Sequence, residues 1–182
     1  MKIVIDGNIG SGKTTQLDLL SSENFQVVKE PIEKWPLDLF YSDPERWGFL
    51  FQLIILQTLT CLPTNDMVIY ERCPLSSKEI FWKSLKKHYL EDKTYQEEFE
   101  KKAWYPDVYI YIDTPAKTCY KNIQSRYQAG DQGVSLEYLQ TLEVRYKEMF
   151  EGLTTCHRFS VDGNRDVDEV HKDILKIIYK YQ

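Results

Sequence analysis

The sequence of 182 residues predicts one domain of the α/β class, in which a parallel sheet of about five strands is flanked by helices. Short runs rich in Val, Ile, Tyr and Phe alternate with longer segments whose apolar residues recur at helical spacing. The chain has no internal repeat or low-complexity linker, and 42% of its residues are hydrophobic, which suffices for one sizeable core.

The short apolar runs are the predicted strands. They are Lys2–Asp6, Met67–Tyr70, Asp107–Asp113 and Cys156–Val161, with Phe25–Lys29 as a fifth. The segments of helical periodicity are Thr14–Leu20, Glu45–Leu62, Leu75–Tyr89, Ala116–Gln128, Leu136–Phe150 and Val167–Tyr181. Because strands joined through helices run parallel, we expect their carboxyl ends to meet at one edge of the sheet, where ligands bind in such folds.

Charge and cysteine usage narrow the possible partners. The net charge of -5 argues against a nucleic-acid partner held by bulk charge, so small molecules are expected instead. No apolar span is long enough for a membrane, and no membrane partner is expected. The four cysteines are scattered without a CxxC spacing, which favours reduced thiols in the cytoplasm, or in the host cytoplasm if the chain is viral.

The segment GNIGSGKTT follows the first predicted strand and matches the pattern G-x-x-x-x-G-K-[ST]. Its backbone N–H groups are expected to surround phosphate oxygens, with help from the N-terminus of the next helix. The expected nucleotide contacts are Gly7, Asn8, Ile9, Gly10, Ser11, Gly12, Lys13, Thr14 and Thr15. Lys13 suits the β- and γ-phosphates and the Thr14 hydroxyl suits magnesium, so ATP and Mg²⁺ are the predicted cofactors. A glycine-rich turn with a chance lysine is the alternative.

Charged residues follow other predicted strands at the same edge of the sheet. Glu30 follows the second strand, and Glu71 and Arg72 follow the third. Phosphoryl transfer needs a group that orients the acceptor and takes its proton, together with positive charge near the transferred group. Glu30 suits the base, Glu71 suits magnesium or its waters, and Arg72 suits the developing charge. A surface role for Glu30, as a helix cap or in an ion pair, is equally compatible with the sequence.

Several motifs in the same order resemble the cellular deoxyribonucleoside kinases. They are GNIGSGKTT, EP followed by Trp35, FYSDPERWGFLFQ, ERC, PDVYIYIDTP and VSLEYLQTLEVRY. The resemblance runs from Lys2 to about Tyr146. It implies a P-loop kinase fold with a short lid at about residues 122–134, a homodimer, and ATP-dependent phosphorylation of a deoxyribonucleoside 5′-hydroxyl.

The resemblance also implies catalytic roles. Glu30 corresponds to the catalytic base, Glu71 to the carboxylate near magnesium, and Arg72 to the arginine near the 5′ oxygen. Lys13 and the lid residue Arg126 are expected to stabilise charge on the transferred phosphoryl group.

A nucleoside-binding set follows from the same resemblance. Its members are Glu30, Trp35, Tyr41, Gln52, Arg72, Phe81 and Asp131. Tyr41 and Asp131 correspond to contacts of the 3′-hydroxyl, although the family usually has glutamate where Asp131 stands. Gln52 corresponds to the residue that reads the base edge, and its amide can pair with thymine or cytosine by flipping. Phe81 corresponds to the stacking aromatic. Without the resemblance, Trp35 and Phe81 would be interpreted as core residues.

Two departures from the family pattern bear on specificity and rate. Leu59 and Ser77 stand where relatives that accept purines or prefer cytosine carry an arginine–aspartate pair, which favours thymidine, and then deoxycytidine, over purines. Asn122 and Gln128 stand where the lid usually has arginines. Arg165, in the loop expected to embrace adenine, is predicted either to stack on the base or to face solvent.

Two other functions stay open at this point. Thymidylate kinase shares the phosphate loop, but two glycines usually follow its EP, where this chain has Ile32 and Glu33. A monophosphate acceptor also needs additional cationic groups. The second alternative is a nucleotide-binding regulatory protein with weakened catalysis. A lid with fewer arginines than is usual in the family supports this alternative, whereas the presence of Lys13, Glu30 and Arg72 argues against it.

Overall fold

The computed structural model describes residues 1–60, 67–126 and 133–182, and its sheet confirms the predicted fold class. Five parallel strands pair in the order β2-β3-β1-β4-β5. They are β1 (Lys2–Asp6), β2 (Val27–Val28), β3 (Val68–Glu71), β4 (Val108–Asp113) and β5 (His157–Asp162). The strand expected at Phe25–Lys29 is shorter than predicted, because only Val27 and Val28 pair with β3.

Helices cover both faces of this sheet. They are α1 (Lys13–Ser22), α2 (Leu37–Ser42), α3 (Pro44–Thr60), α4 (Pro74–Ser76), α5 (Tyr89–Lys102), α6 (Ala116–Arg126), α7 (Leu136–Gly152) and α8 (Val167–Ile178). Within the three described ranges, no helix is both long and apolar enough to cross a membrane.

Alternation along the central strand divides the core into two layers. Ile3 and Ile5 of β1 face one side, where they pack with α1 and with Ile174 of α8. Val4 faces the opposite side, where it packs in the cluster that contains Tyr146 of α7. All of these side chains are buried. Burial on both faces accounts for the continuous apolar runs from which the strands were predicted.

The prediction of one helix over Leu75–Tyr89 is wrong. The chain there forms α4, then a π-helical turn at Ser77–Phe81 and a 3₁₀ turn at Trp82–Ser84. The next helix is α5, which the sequence analysis did not predict, as it did not predict α2. Helix α5 buries only Tyr95 and Phe99, so its apolar periodicity is weak. The predicted helix ends at Leu62 and Gln128 lie outside the described residues.

Candidate active site

The loop between β1 and α1 encloses its own lysine. Lys13 Nζ donates to the carbonyl oxygens of Gly7 and Asn8, at 3.0 and 2.8 Å. Gly12 has a φ of 94° at the start of α1, a left-handed conformation that glycine adopts readily. Burial, and then the nearby Arg72, lowers the pKa of the Lys13 ammonium to about 8. Among the described residues, the hydrogen bonds of this buried cation are to neutral carbonyls, which suits it to an anionic ligand.

Two further features of the loop suit a phosphate group with a metal ion. Ser11 Oγ is buried and has no hydrogen-bond partner among the described residues. The Thr14 hydroxyl donates to Glu71 Oε1 at 3.0 Å, so a hydroxyl and a carboxylate lie together beside the loop. Hard oxygen ligands of this kind suit Mg²⁺, which binds through one or two carboxylates plus substrate phosphates.

Glu30 and Arg72 form a buried ion pair between the loop and the neighbouring pocket. Arg72 Nη1 lies 2.5 Å from Glu30 Oε2, and Nη2 donates to the Gly7 carbonyl at 3.3 Å. Its Nε donates to the Tyr146 hydroxyl at 3.1 Å, and that hydroxyl donates to Asp6 Oδ1 at 2.9 Å. Asp6 and Tyr146, which were not predicted as site residues from the sequence, hold the guanidinium from the side opposite Glu30.

The electrostatics of this pair follow from its burial. Burial raises the pKa of the Glu30 carboxyl above its ordinary value, although the adjacent Arg72 opposes that rise. Burial disfavours the charged form of Arg72, but Glu30 and Asp6 outweigh it and raise the pKa of the guanidinium well above its ordinary value. Arg72 therefore stays charged, and Glu30 is a stronger base than an exposed glutamate.

A pocket opens beside this ion pair. Most of the predicted nucleoside-binding residues line it, together with Arg126. These residues are Glu30, Trp35, Tyr41, Gln52, Arg72, Phe81 and Arg126. Most of the remaining wall is apolar or aromatic, and the sequence analysis did not predict it. That wall includes Ile9, Ile32, Leu37, Phe40, Phe51, Ile55 and Tyr138. The sequence signals for these positions were the motif FYSDPERWGFLFQ, which contains Phe40 and Phe51, and the helical spacing of Phe51 and Ile55.

The base-reading candidate Gln52 lies in the buried wall of this pocket. Its Oε1 accepts a hydrogen bond from Ser77 Oγ at 3.1 Å. Leu59 and Ser77 both line the pocket as well, as expected from their correspondence to the specificity positions of the family. Phe81 lies under the Arg72 guanidinium, 4.9 Å from its central carbon to the ring centroid. Phe81 of the aromatic wall therefore contacts Arg72 of the ion pair.

Residues of the predicted lid and of the C-terminal loop have different surroundings. The Asn122 amide donates to the Gly10 carbonyl at 2.9 Å, so α6 is bonded to the phosphate loop. Arg165 is partly exposed and donates to Asp173 Oδ2 at 2.6 Å, and its contact with adenine stays a prediction. Asp131 and Gln128 lie outside the described residues.

A phosphate loop at the carboxyl end of β1, with a carboxylate–arginine pair leading into an aromatic pocket, defines a P-loop phosphotransferase with a separate acceptor site. Comparison with known proteins gives the family. The chain belongs to the deoxynucleoside kinase family, whose model matches residues 3–182. It is therefore a kinase that phosphorylates a deoxynucleoside, and the resemblance inferred from the sequence motifs is confirmed.

Relatives within the family are named after nucleosides with different bases. A fowlpox virus protein named as a probable deoxycytidine kinase is 32% identical over 99% of this chain and 87% of its own length. Human mitochondrial thymidine kinase 2 is 29% identical over 80% of this chain and 63% of its own length. The solved structure of deoxyadenosine kinase from M. mycoides, at 24% identity, shares the fold with a TM-score of 0.86 over 100% of both chains.

Proposed function

We propose that this kinase transfers the γ-phosphate of ATP to the 5′-hydroxyl of a pyrimidine deoxyribonucleoside, with thymidine as the first expected acceptor and deoxycytidine as the second. One observation carries the proposal. The ion pair of Glu30 and Arg72 lines the aromatic pocket, while Arg72 also reaches the Gly7 carbonyl of the phosphate loop. An acceptor hydroxyl bound in the pocket beside Glu30 is thereby directed towards a phosphate bound in the loop.

Glu30 has the properties of the base in this reaction. Its raised pKa and its buried position suit a carboxylate that orients the 5′-hydroxyl and accepts its proton as the loose transition state resolves. Arg72 holds the carboxylate in place through the bond from Nη1. Its charge also offsets the negative charge that develops near the acceptor oxygen.

The phosphate loop supplies the remaining contacts for ATP. The buried Lys13 ammonium would bind the β- and γ-phosphates, and Ser11 Oγ would donate to a phosphate oxygen. Thr14 and Glu71 would hold Mg²⁺. The charge of the metal ion would stabilise the negative charge that develops on the phosphate oxygens during transfer. Arg126, at the end of α6, lines the pocket and would approach the transferred group as the lid closes.

The acceptor pocket supports an uncharged pyrimidine nucleoside. Trp35, Phe51 and Phe81 give flat apolar surfaces for a base, and Gln52 gives one donor–acceptor pair to read its edge. The uncharged Leu59 and Ser77 support thymidine and deoxycytidine over purines. Arg72, the cation of the wall that adjoins Glu30, is already paired with the carboxylates of Glu30 and Asp6, which argues against the monophosphate acceptor of a thymidylate kinase. The proposal also includes a homodimer, from the family resemblance, and a cytoplasmic location, from the scattered cysteines.

A panel of acceptors tests this proposal. ATP-dependent phosphorylation is measured on thymidine, deoxycytidine, deoxyadenosine, deoxyguanosine and thymidine monophosphate, for the wild type and for Glu30→Ala. We expect turnover on the pyrimidine nucleosides that falls by at least about a hundredfold in Glu30→Ala, while ATP binding persists. Turnover on the monophosphate alone, or on purine nucleosides alone, would contradict the assigned acceptor. ATP binding without turnover on any acceptor would favour the regulatory alternative.

A further inference from the structure

A row of three buried polar side chains runs from the outer helix α5 into the base pocket. The Tyr95 hydroxyl lies 3.1 Å from Ser77 Oγ, and Ser77 Oγ lies 3.1 Å from Gln52 Oε1. Tyr95 is 0% exposed, and Ser77 and Gln52 are each 1% exposed, so water does not compete for their hydrogen bonds. Ser77 begins the π-helical turn at Ser77–Phe81, a rare geometry that often occurs at functional sites.

The hydroxyl hydrogens of Tyr95 and Ser77 determine which group donates and which accepts in each hydrogen bond of the row. Ser77 has one hydroxyl hydrogen, which it donates to Gln52 Oε1, so the Tyr95 hydroxyl must donate to Ser77 Oγ. Burial raises the pKa of the Tyr95 hydroxyl to about 12, so the phenol keeps its hydrogen at neutral pH. Both hydroxyl hydrogens of the row then have an acceptor.

A flipped Gln52 amide breaks this arrangement. With Nε2 towards Ser77, the amide would donate to Ser77 Oγ. The hydroxyl hydrogens of Ser77 and Tyr95 would then have only the contact between these two oxygens left, so one of the two hydrogens would lack an acceptor in the row. An unpaired buried donor is costly, so the row favours the orientation with Oε1 towards Ser77.

The two pyrimidines require opposite orientations of this amide. Thymine presents an N–H donor at N3 beside a carbonyl acceptor at C4, whereas cytosine presents an acceptor at N3 beside an amino donor at C4. A glutamine amide pairs with either base only by exchanging the places of its oxygen and its nitrogen. A fixed amide is therefore complementary to one of the two bases in a given ring orientation, and it leaves polar groups unpaired with the other.

We propose that Tyr95 and Ser77 are positioning residues that fix the orientation of the Gln52 amide and thereby set the preference between thymidine and deoxycytidine. The inference rests on the proposed function, because it requires both nucleosides to be candidate acceptors of this site. It gives helix α5, which lies outside the pocket, a role in specificity through the Tyr95 hydroxyl.

The test compares the ratio of kcat/KM for thymidine to that for deoxycytidine in the wild type, Tyr95→Phe and Ser77→Ala. We expect the wild type to prefer one nucleoside by at least about fivefold, the factor that one neutral hydrogen bond supplies. Both variants should move the ratio towards one by a similar factor, because each removes the same directional constraint. Thermal unfolding and ATP binding confirm that each variant is folded.

Ser76→Ala is the matched control. Ser76 is a buried hydroxyl in the same segment, but the hydrogen bonds of its hydroxyl that the structure describes are to Cys73 and not to Gln52. This variant should keep the wild-type ratio. A wild type that uses both pyrimidines equally overturns the inference, as does a ratio unchanged in Tyr95→Phe and Ser77→Ala. Failure to phosphorylate either pyrimidine, with purine turnover intact, removes the proposed function and the inference together.

Discussion

The guanidinium of Arg72 binds Glu30 at one end and the pair of Tyr146 and Asp6 at the other. Its Nη1 is 2.5 Å from Glu30 Oε2, and its Nε is 3.4 Å from Asp6 Oδ1. Arg72 also has a φ of 61°, a left-handed conformation that is unfavourable for a residue with a side chain. The ion pairs at both ends hold the residue in this conformation, directly after β3.

Arg72→Met should lower the free energy of unfolding by about 3 kcal/mol, because it leaves the buried carboxylates of Glu30 and Asp6 without their cation. Urea unfolding at neutral pH measures the change. Arg165→Met is the control, since it removes an arginine whose partner Asp173 is at the surface, and its unfolding midpoint should barely change. A similar loss in the two variants would contradict the structural role of the buried pair.

The double variant Glu30→Gln with Arg72→Met separates charge from packing. Removing the carboxylate charge together with its cation should recover part of the stability lost in Arg72→Met alone, because Glu30 and Arg72 interact directly. Strictly additive losses would show that the ion pair does not couple these two residues.

ATP affinity should fall as the pH rises above 8. Burial lowers the pKa of Lys13 to about 8, so the free protein loses this proton above that pH. A bound phosphate stabilises the Lys13 ammonium and raises its pKa. ATP binding above pH 8 therefore requires Lys13 to take up a proton, and the affinity falls by up to about tenfold for each further pH unit. Calorimetric titration of ATP between pH 7.5 and 9.5 measures this. Lys13→Met should bind weakly with a flat profile, and a flat wild-type profile would contradict the prediction.

The residues at the strand ends could be predicted because topology brings them together. Once β1 and β3 are recognised as parallel neighbours, Glu71 must lie beside the phosphate loop, and the bond from Thr14 to Glu71 follows from the sequence pattern. The fold class followed in the same way from short apolar runs separated by helical segments.

The roles of the supporting residues could not be predicted, because nothing in their local sequence indicates what their hydroxyl and carboxyl groups contact. Tyr146 reaches Asp6 across 140 residues, and its position on α7 matches that of an ordinary core aromatic. The role of Tyr95 could not be predicted either, because α5 is largely charged and buries two side chains. Their function depends on hydroxyl direction and distance, which hydrophobic periodicity does not encode.

Glu71→Gln should raise the Mg²⁺ concentration needed for half-maximal velocity by at least about tenfold, because the neutral amide is a weaker ligand for a hard cation than the carboxylate. Initial rates at saturating ATP and nucleoside across a magnesium series measure it. Thr14→Ser is the control, since it keeps the hydroxyl that bonds to Glu71 and should keep the wild-type requirement. A lower maximal velocity with an unchanged magnesium dependence would place Glu71 outside the metal site.

Gly10→Ala should weaken ATP binding and lower the free energy of unfolding by about 2 kcal/mol. Gly10 has a φ of 78°, and a Cβ there would lie 2.6 Å from the Cys119 carbonyl oxygen, so the backbone of α6 would have to move. That movement would also weaken the bond from Asn122 to the Gly10 carbonyl. Urea unfolding and ATP titration measure the two effects.

Gly152→Ala is the matched control for this substitution. Gly152 is the last residue of α7, and beyond its chain neighbours and the backbone of its own helix, no described atom lies within 4 Å of the position that its Cβ would occupy. Alanine has the higher helix propensity, so this variant should be neutral or more stable by up to about 1 kcal/mol, with unchanged ATP binding. If Gly10→Ala were as stable as Gly152→Ala and bound ATP equally well, the close contact between the phosphate loop and α6 would not constrain this kinase in solution.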